Sequence, residues 1–446
     1  MDTRKISLRI SLLALLGCLA VSGCSSNGRS APPDAGLTVV HAAPSYGTIA
    51  FLREERRESQ LAYRDSVSFQ FDVDLYDFNL EIVAPGATSP TRILSFDETL
   101  EVDTRHLFVL AEQGGLITPL VFKDPLFDTT SPEVEMSAMN AAATLGSIDV
   151  YVEPRGTDIS TVAPFATLGL MERSALQLET PGELDVTVTE AGNVSNVLFQ
   201  APTITFGAGQ TAPLVFVDGA DIGTANAYMI AVGRQPPLVV DRNVGAEIRA
   251  INAASDRLPR DVYLNGDFAA PVFSAAEFGV VTEFLPIDPG AVTVQLTPEA
   301  NPGTIEGEAS IAATIGSRLS LLITGSPGDL TAIGTTEDLR IVSGEARVKF
   351  LNGSNNHDAL EYFITLPGVD LGTVVPVATL GTPGSSIRIT LAPDDYDLTV
   401  RDAASHAVVA GPLPITLGEN VYTAVTLDNP DGTTVDVQLF DGFVAP

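Results

Sequence analysis

VEMSAMNAAATLGSIDVYV, running from Val134 to Val152, decides the fold, because three other stretches of the chain repeat its pattern. They are LTVVHAAPSYGTIAF from Leu37, AEIRAINAASDRLPRDVYL from Ala246 and ARVKFLNGSNNHDALEYFI from Ala346. Each reads as a strand, a polar turn and a second strand, a β-arch or hairpin. In the first strand Leu37/Val39, Met136/Ala138, Ile248/Ala250 and Val348/Phe350 share one face. The intervening places hold Glu135/Ser137, Glu247/Arg249 and Arg347/Lys349. A period of two is the mark of a strand with one face buried, and it predicts that these polar residues face water.

Working outward, His41, Asn140, Asn252 and Asn352 stand at equivalent places, spaced by 99, 112 and 100 residues. A second signature recurs at Val67–Val83, Ser174–Glu190, Val281–Thr297 and Ser386–Asp402: an alternating strand, a turn and another alternating strand. Pro181-Gly182, Pro289-Gly290 and Pro393-Asp394-Asp395 supply the turn chemistry in three copies. A third, a small turn before a long apolar strand, is read at Leu100–Glu112, Ala220–Val232, Ala313–Thr324 and Ile415–Leu427. Each unit thus holds six to eight short strands, and no stretch shows helical periodicity. The predicted fold is all-β: four tandem Ig-like or transthyretin-like antiparallel β-sandwiches, following a lipoprotein signal peptide. The sandwiches are expected at residues 37–128, 134–234, 245–334 and 345–443, with proline-bearing joints near Thr129–Glu133, Gln235–Val244 and Thr335–Gly344. Joints this short predict a semi-rigid rod with limited hinge motion.

The N-terminus reads as an address. Arg4, Lys5 and Arg9 precede an apolar run from Ile10 to Ala20, too short to span a bilayer. It ends in Val21-Ser22-Gly23-Cys24, which resembles the bacterial lipobox. The resemblance implies cleavage after Gly23 and a lipid on Cys24, so residues 1–23 are signal peptide and 24–36 a Ser-, Gly- and Pro-rich tether. Ser25 and Ser26 follow, without the Asp that signals inner-membrane retention in enteric-type bacteria, so the outer membrane of a Gram-negative host is the expected address.

Composition bounds the chemistry. The 446 residues carry 24 Lys+Arg against 56 Asp+Glu, a formal charge of −32, and removing residues 1–23 takes it to −34. Such a chain has no use for nucleic acid, whose phosphates need clustered cations. Only Lys123 and Lys349 follow the leader, and Cys18 leaves with it. His41, His106, His357 and His406 are scattered and form no metal motif. Gly207-Ala208-Gly209-Gln210-Thr211-Ala212 matches a dinucleotide fingerprint on paper, but the apolar run after it reads as a strand where a helix is required. Asp72/Asp74/Asp77, Asp394/Asp395/Asp397 and Asp428–Gly432 are acidic loops, yet none has calcium-loop spacing, and they read as turns. His41 and its three asparagine equivalents read as side chains bonding turn backbone, and Tyr151, Tyr263 and Tyr362 as core or interface aromatics.

Taken together, the His41-Ala42-Ala43-Pro44 start, the Asp149-Val150-Tyr151-Val152 and Asp261-Val262-Tyr263-Leu264 strands and the later Tyr396-Asp397-Leu398-Thr399-Val400 strand resemble the bacterial domain-of-unknown-function family 4397. The fourth copy, Leu360-Glu361-Tyr362-Phe363, is worn. The resemblance implies a secreted or lipid-anchored envelope setting and no catalytic residues. The expected protein is therefore lipid-anchored, without cofactor, metal or catalytic site, and acts as a structural or adhesion-type rod on an envelope protein or polysaccharide. Carbohydrate binding and hydrolysis at an acidic site are the alternatives; the absence of Trp weighs against the first.

Overall fold

The computed structural model describes residues 34–219 and 225–442. Strands β1 (Asp34–Ala42), β2 (Ile49–Arg53), β3 (Arg56–Leu61), β4 (Ser66–Asp72), β5 (Leu75–Ile82), β6 (Thr91–Thr99), β7 (Thr104–Gln113) and β8 (Leu116–Pro125) make the first unit. They form two four-stranded sheets, ordered β4-β1-β7-β8 and β3-β2-β5-β6. β1 and β2 lie in different sheets, so the opening motif is an arch and not a hairpin. The same order recurs at residues 134–240, 246–337 and 346–441. The second unit lengthens each sheet by one short strand, Leu238–Val240 and Ile204–Phe206. In the third, Gly307 pairs with Leu330 and joins both sheets into one of eight strands.

Two details refine the expected fold. β1 pairs in parallel with β7, Leu37 opposite His106, and the same parallel pair recurs in every unit; apart from it and the single Gly307–Leu330 pairing, the named strands pair antiparallel. A four-plus-four division also departs from the seven-strand Ig plan, leaving the transthyretin-like form of the sandwich. No α-helix occurs among the described residues; three single 3₁₀ turns do.

Each unit has its own core between its sheets. In the first, Leu37, Val39, Phe51, Phe78 and Phe108 meet at its centre, with Phe78 edge-on to Phe108 at 5.2 Å between centroids. The other face of the β4-β1-β7-β8 sheet is buried as well. Val40, Ala42, Val109 and Ala111 of the first unit pack on Met139, Val215, Val217 and Ile230 of the second. Ile251, Ala253 and Leu322 of the third pack on Leu351, Val425 and Leu427 of the fourth. These sheets are called inner below, and their partners outer. Arg340, in the joint between units three and four, donates from Nη1 to the carbonyls of Pro44 (2.9 Å) and Tyr46 (2.6 Å), and Ser343 N–H donates to Ser45 O. The expected rod is therefore corrected: the units pair face to face and the pairs touch, because an inner sheet apolar on both faces has to be covered twice.

The polar residues expected to face water are corrected with it. Glu135 is 8% exposed, Ser137 1%, Arg249 2%, Arg347 8% and Lys349 4%. They lie where the inner sheets face a neighbouring unit or a joint, and each has a polar partner. The third signature needs one correction too. In the second unit the strand equivalent to β7 is Thr211–Asp218, and Ala227–Ala231 is the equivalent of β8; residues 220–224 lie outside the described residues. The glycine-rich stretch rejected as a dinucleotide site is the turn before that strand. Gly209 stands there at φ +68°, where a Cβ would lie 2.0 Å from Thr129 O, so only glycine fits.

Candidate functional site

Three sets of residues could carry function: the repeated turn motif, the buried charges, and the loops at the sandwich ends. Cys24 and the Val21, Ser22 and Gly23 before it lie outside the described residues.

The turn motif holds the arch between β1 and β2. Asn140 Oδ1 accepts from Ala142 N–H (3.1 Å) while its Nδ2 donates to Gly146 O (2.8 Å). Asn252 repeats this with Ala254 N–H and Leu258 O, and adds Ala276 O at 2.8 Å. Asn352 accepts from Ser354 N–H and donates to Gly381 O. His41 does the same with a ring: Ala43 N–H donates to Nδ1 (3.3 Å), and Nε2–H donates to Gly47 O (2.9 Å). All four are fully buried, so they satisfy turn groups that the sheets leave unpaired. Two acceptor and donor positions are needed at once, which obliges His41 to be neutral with its proton on Nε2. Burial lowers its pKa to about 4, against an opposing contribution from the Gly47 bond, and Arg340 nearby lowers it further.

The acid of the Asp-Val-Tyr motif is equally structural. Asp149 accepts from Thr167 Oγ1 and Gly192 N–H, and Asp261 from Ala275 N–H and Ala300 N–H. Each carboxylate thus ties its strand to the next strand and to a distant turn. Tyr151, Tyr263 and Tyr362 are all buried, whereas a sugar platform needs an exposed ring face. The fourth unit shifts by one place: Tyr362 points into the core and donates to or accepts from Thr426 Oγ1 (2.6 Å), while Phe363 takes the usual Tyr position under Arg401. The worn motif keeps its acid as Glu361, which reaches Arg401 at 3.1 Å.

A second set of buried charges lies between units. Glu337 of the third unit accepts from Lys349 Nζ of the fourth (2.9 Å), from Ser320 Oγ (2.5 Å) and from Arg249 (3.4 Å). Arg249 also reaches Thr423 Oγ1 of the fourth unit, and Lys349 reaches back to Thr335 Oγ1 of the third. Burial by itself would raise the Glu337 pKa, but Lys349 and Arg249 outweigh it and hold the carboxyl below its usual range. In the first pair Arg173 grips Asp124 with both terminal nitrogens (2.9 and 2.6 Å), and Arg105 pairs with Glu135. Of these, Glu135, Arg249 and Lys349 were read as a wet face, and sequence alone offers no signal for their partners.

The acidic loops bond their own turn, the neighbouring strand or the arch turn. Asp394 accepts from Asp395 N–H, Asp395 from Thr416 Oγ1, Asp428 from Ser354 Oγ and Asn355 N–H, and Asp431 from Thr433 and Thr434 N–H. Among the described residues no group of three His, Cys, Asp or Glu side chains is placed to hold a metal. A cleft of about 450 Å³ opens where Ile82–Pro85 of the first unit faces Val342–Glu345 of the joint.

One feature lay unread in the sequence: the loop between the strands equivalent to β2 and β3 is the same in units two and four. Gly156-Thr157-Asp158-Ile159-Ser160-Thr161 matches Gly368-Val369-Asp370-Leu371-Gly372-Thr373. Asp158 accepts from Ser160 N–H and Asp370 from Gly372 N–H. Thr161 and Thr373 Oγ1 each return 2.7 Å to that aspartate's carbonyl, and Gly156 and Gly368 N–H each donate 3.1 Å to Asp185 and Asp397. The G-x-D-x-x-T spacing is the signal that finds it.

The geometry defines a chain of four transthyretin-like sandwiches in two face-to-face pairs. Residues 246–363, the third unit and the first two strands of the fourth, match the model for a domain of unknown function (DUF4397). The resemblance read from the motifs holds there. Among solved structures, the chain is similar to the pilus adhesin SpaC of Lactobacillus rhamnosus GG at 9% identity, over 66% of this chain and 43% of that one, with a TM-score of 0.14. This chain thus spans under half of the adhesin's length, and a score so low carries no argument. No curated protein matches the sequence.

Proposed function

We propose that this is a lipid-anchored cell-envelope protein, held through Cys24 to a membrane (the outer membrane of a Gram-negative host), and that it acts as a non-enzymatic scaffold whose loops engage an envelope or extracellular partner. One observation supports the reading above others: a set of buried charged side chains, Arg249, Glu337, Lys349, Arg173 and Asp124, binds units to one another. Such charges fix how the sandwiches sit, and a fixed array presents its end loops in set positions. The lipobox supplies the expected attachment.

Protease shaving of intact host cells tests the reading, with Cys24→Ala as the unanchored control. Loss of the protein with a periplasmic marker spared means surface display and a contact role outside the cell. Protection until the outer membrane is breached means an envelope scaffold inside it. Fractionation of Cys24→Ala with the wild type would remove the anchor from the proposal.

A further inference from the structure

The two matching loops act as an internal control. Their 3₁₀ turns, aspartate caps and glycine conformations coincide: Asp158 and Asp370 stand at φ −76° and −70°, and Gly156 and Gly368 at +84° and +78°. The surface they present differs. Pro154, Thr157 and Ala163 of unit two become Leu366, Val369 and Val375 of unit four, with exposures of 54%, 39% and 83%. The loop therefore builds without a large aliphatic residue at these three places, and in the fourth unit folding does not account for them. Exposed apolar groups in one loop are the mark of a contact surface.

The charge around them changes as well. In unit two Arg155 pairs with Glu183 beside the loop, whereas the same place in unit four is Pro367. Residues 366–387 contain no Lys or Arg. Asp370 lies within the loop, Asp397 accepts from its Gly368 N–H, and Asp394 and Asp395 begin the same strand as Asp397, exposed. Glu419 follows Leu417, which pairs with Asp394.

We infer that the Leu366–Val375 loop of the fourth unit is the docking surface of the array, and that its partner is a protein with an apolar pocket rimmed by Lys or Arg. An apolar centre inside a charged rim is the ordinary anatomy of a protein interface. A lipid surface fits poorly, since segments that lie in the interface carry cations beside their apolar face. This inference rests on the interaction reading above and assigns its site.

Photo-crosslinking in intact host cells tests it, with p-benzoyl-phenylalanine placed at position 375 and, separately, at 163. The expected result is a discrete protein adduct at 375 and none at 163, attached by mass spectrometry to a surface flanked by Lys or Arg. Val369→Thr and Val375→Ala place the unit-two residues at two of the three places, where the matching loop shows that they are accommodated; with the probe moved to position 371, the adduct should drop about tenfold. Asp394→Asn with Asp395→Asn should lower it several-fold. Equal adducts at 163 and 375, adducts to lipid alone, or adducts to a second copy of this chain would overturn the assignment. If 163 or other loops crosslink and 375 does not, the interaction reading stands and the site falls. If no loop crosslinks, both fall.

Discussion

Replacing His41 by Asn should make the first unit less sensitive to acid, and the size of the effect follows from the turn it holds. The ring is fully buried and both its nitrogens are engaged, Nδ1 as acceptor from Ala43 and Nε2 as donor to Gly47. Protonation would force Nδ1 to lose its acceptor role and would place a cation near Arg340. The folded pKa of about 4 lies below the ordinary 6.5, so between these values the unfolded chain binds the extra proton. Stability is unaffected above pH 6.5 and declines as pH falls from there through 4. Linkage gives a loss of roughly 2 kcal/mol between pH 7.5 and 5, and a ceiling of roughly 3.4 kcal/mol below pH 4. Asn serves the same two bonds in the other three units, does not titrate, and forfeits the edge contact of the ring with Tyr63. His41→Asn should therefore be about 1 kcal/mol less stable than wild type at pH 7.5 and about 1 kcal/mol more stable at pH 5. Urea-dependent hydrogen exchange of a β1 peptide reads the first unit alone, and the imidazole NMR signal absent from the variant identifies His41 among four histidines. A His41 that titrates near 6.5, or two proteins that lose stability in parallel between pH 7.5 and 5, would refute the reasoning.

Glu337→Ala strands Lys349 and Arg249 without their carboxylate and should cost roughly 3–5 kcal/mol, lowering the calorimetric transition of the third and fourth units by roughly 10 °C and leaving that of the first two in place. Asn252→Ala removes one acceptor and two donor contacts from a buried turn and should cost about 2–4 kcal/mol, read from the urea midpoint of a 246–442 fragment. That fragment should be folded and monomeric by ultracentrifugation, whereas 246–337 alone, with Ile251, Ala253 and Leu322 uncovered, should aggregate. Arg340→Ala should speed amide exchange in residues 44–47 about tenfold, since both carbonyl bonds are its own.

How far the sequence could be read depends on what its alternation encodes. A period of two reports that successive side chains point to opposite faces, and it placed the opening strands and core residues such as Val39, Ala138 and Phe350 correctly. It does not report what covers each face. Arg249 and Lys349 look like solvent-facing residues until Glu337, on another strand, is brought to them by the fold. The Thr211–Asp218 stretch was read as a strand but not as the equivalent of β7, for a local reason: Ala227–Ala231 follows a similar small turn, and only the parallel register with Val134–Asn140 separates them. His41 and the asparagines were legible because their hydrogen bonds are local, closing on backbone mostly two and six residues away. The paired loops were legible in principle, through G-x-D-x-x-T, yet their meaning lies in a difference between copies, which a search for likeness passes over.

The face-to-face packing of inner sheets also constrains how a gene of this kind changes length. Duplicating one unit would leave an inner sheet with no surface to lie against; duplicating two adjacent units carries the complementary face along. Tandem chains built on this plan should accordingly gain and lose repeats by twos, with recombination points in the joint between pairs, residues 241–245 here, rather than inside a pair.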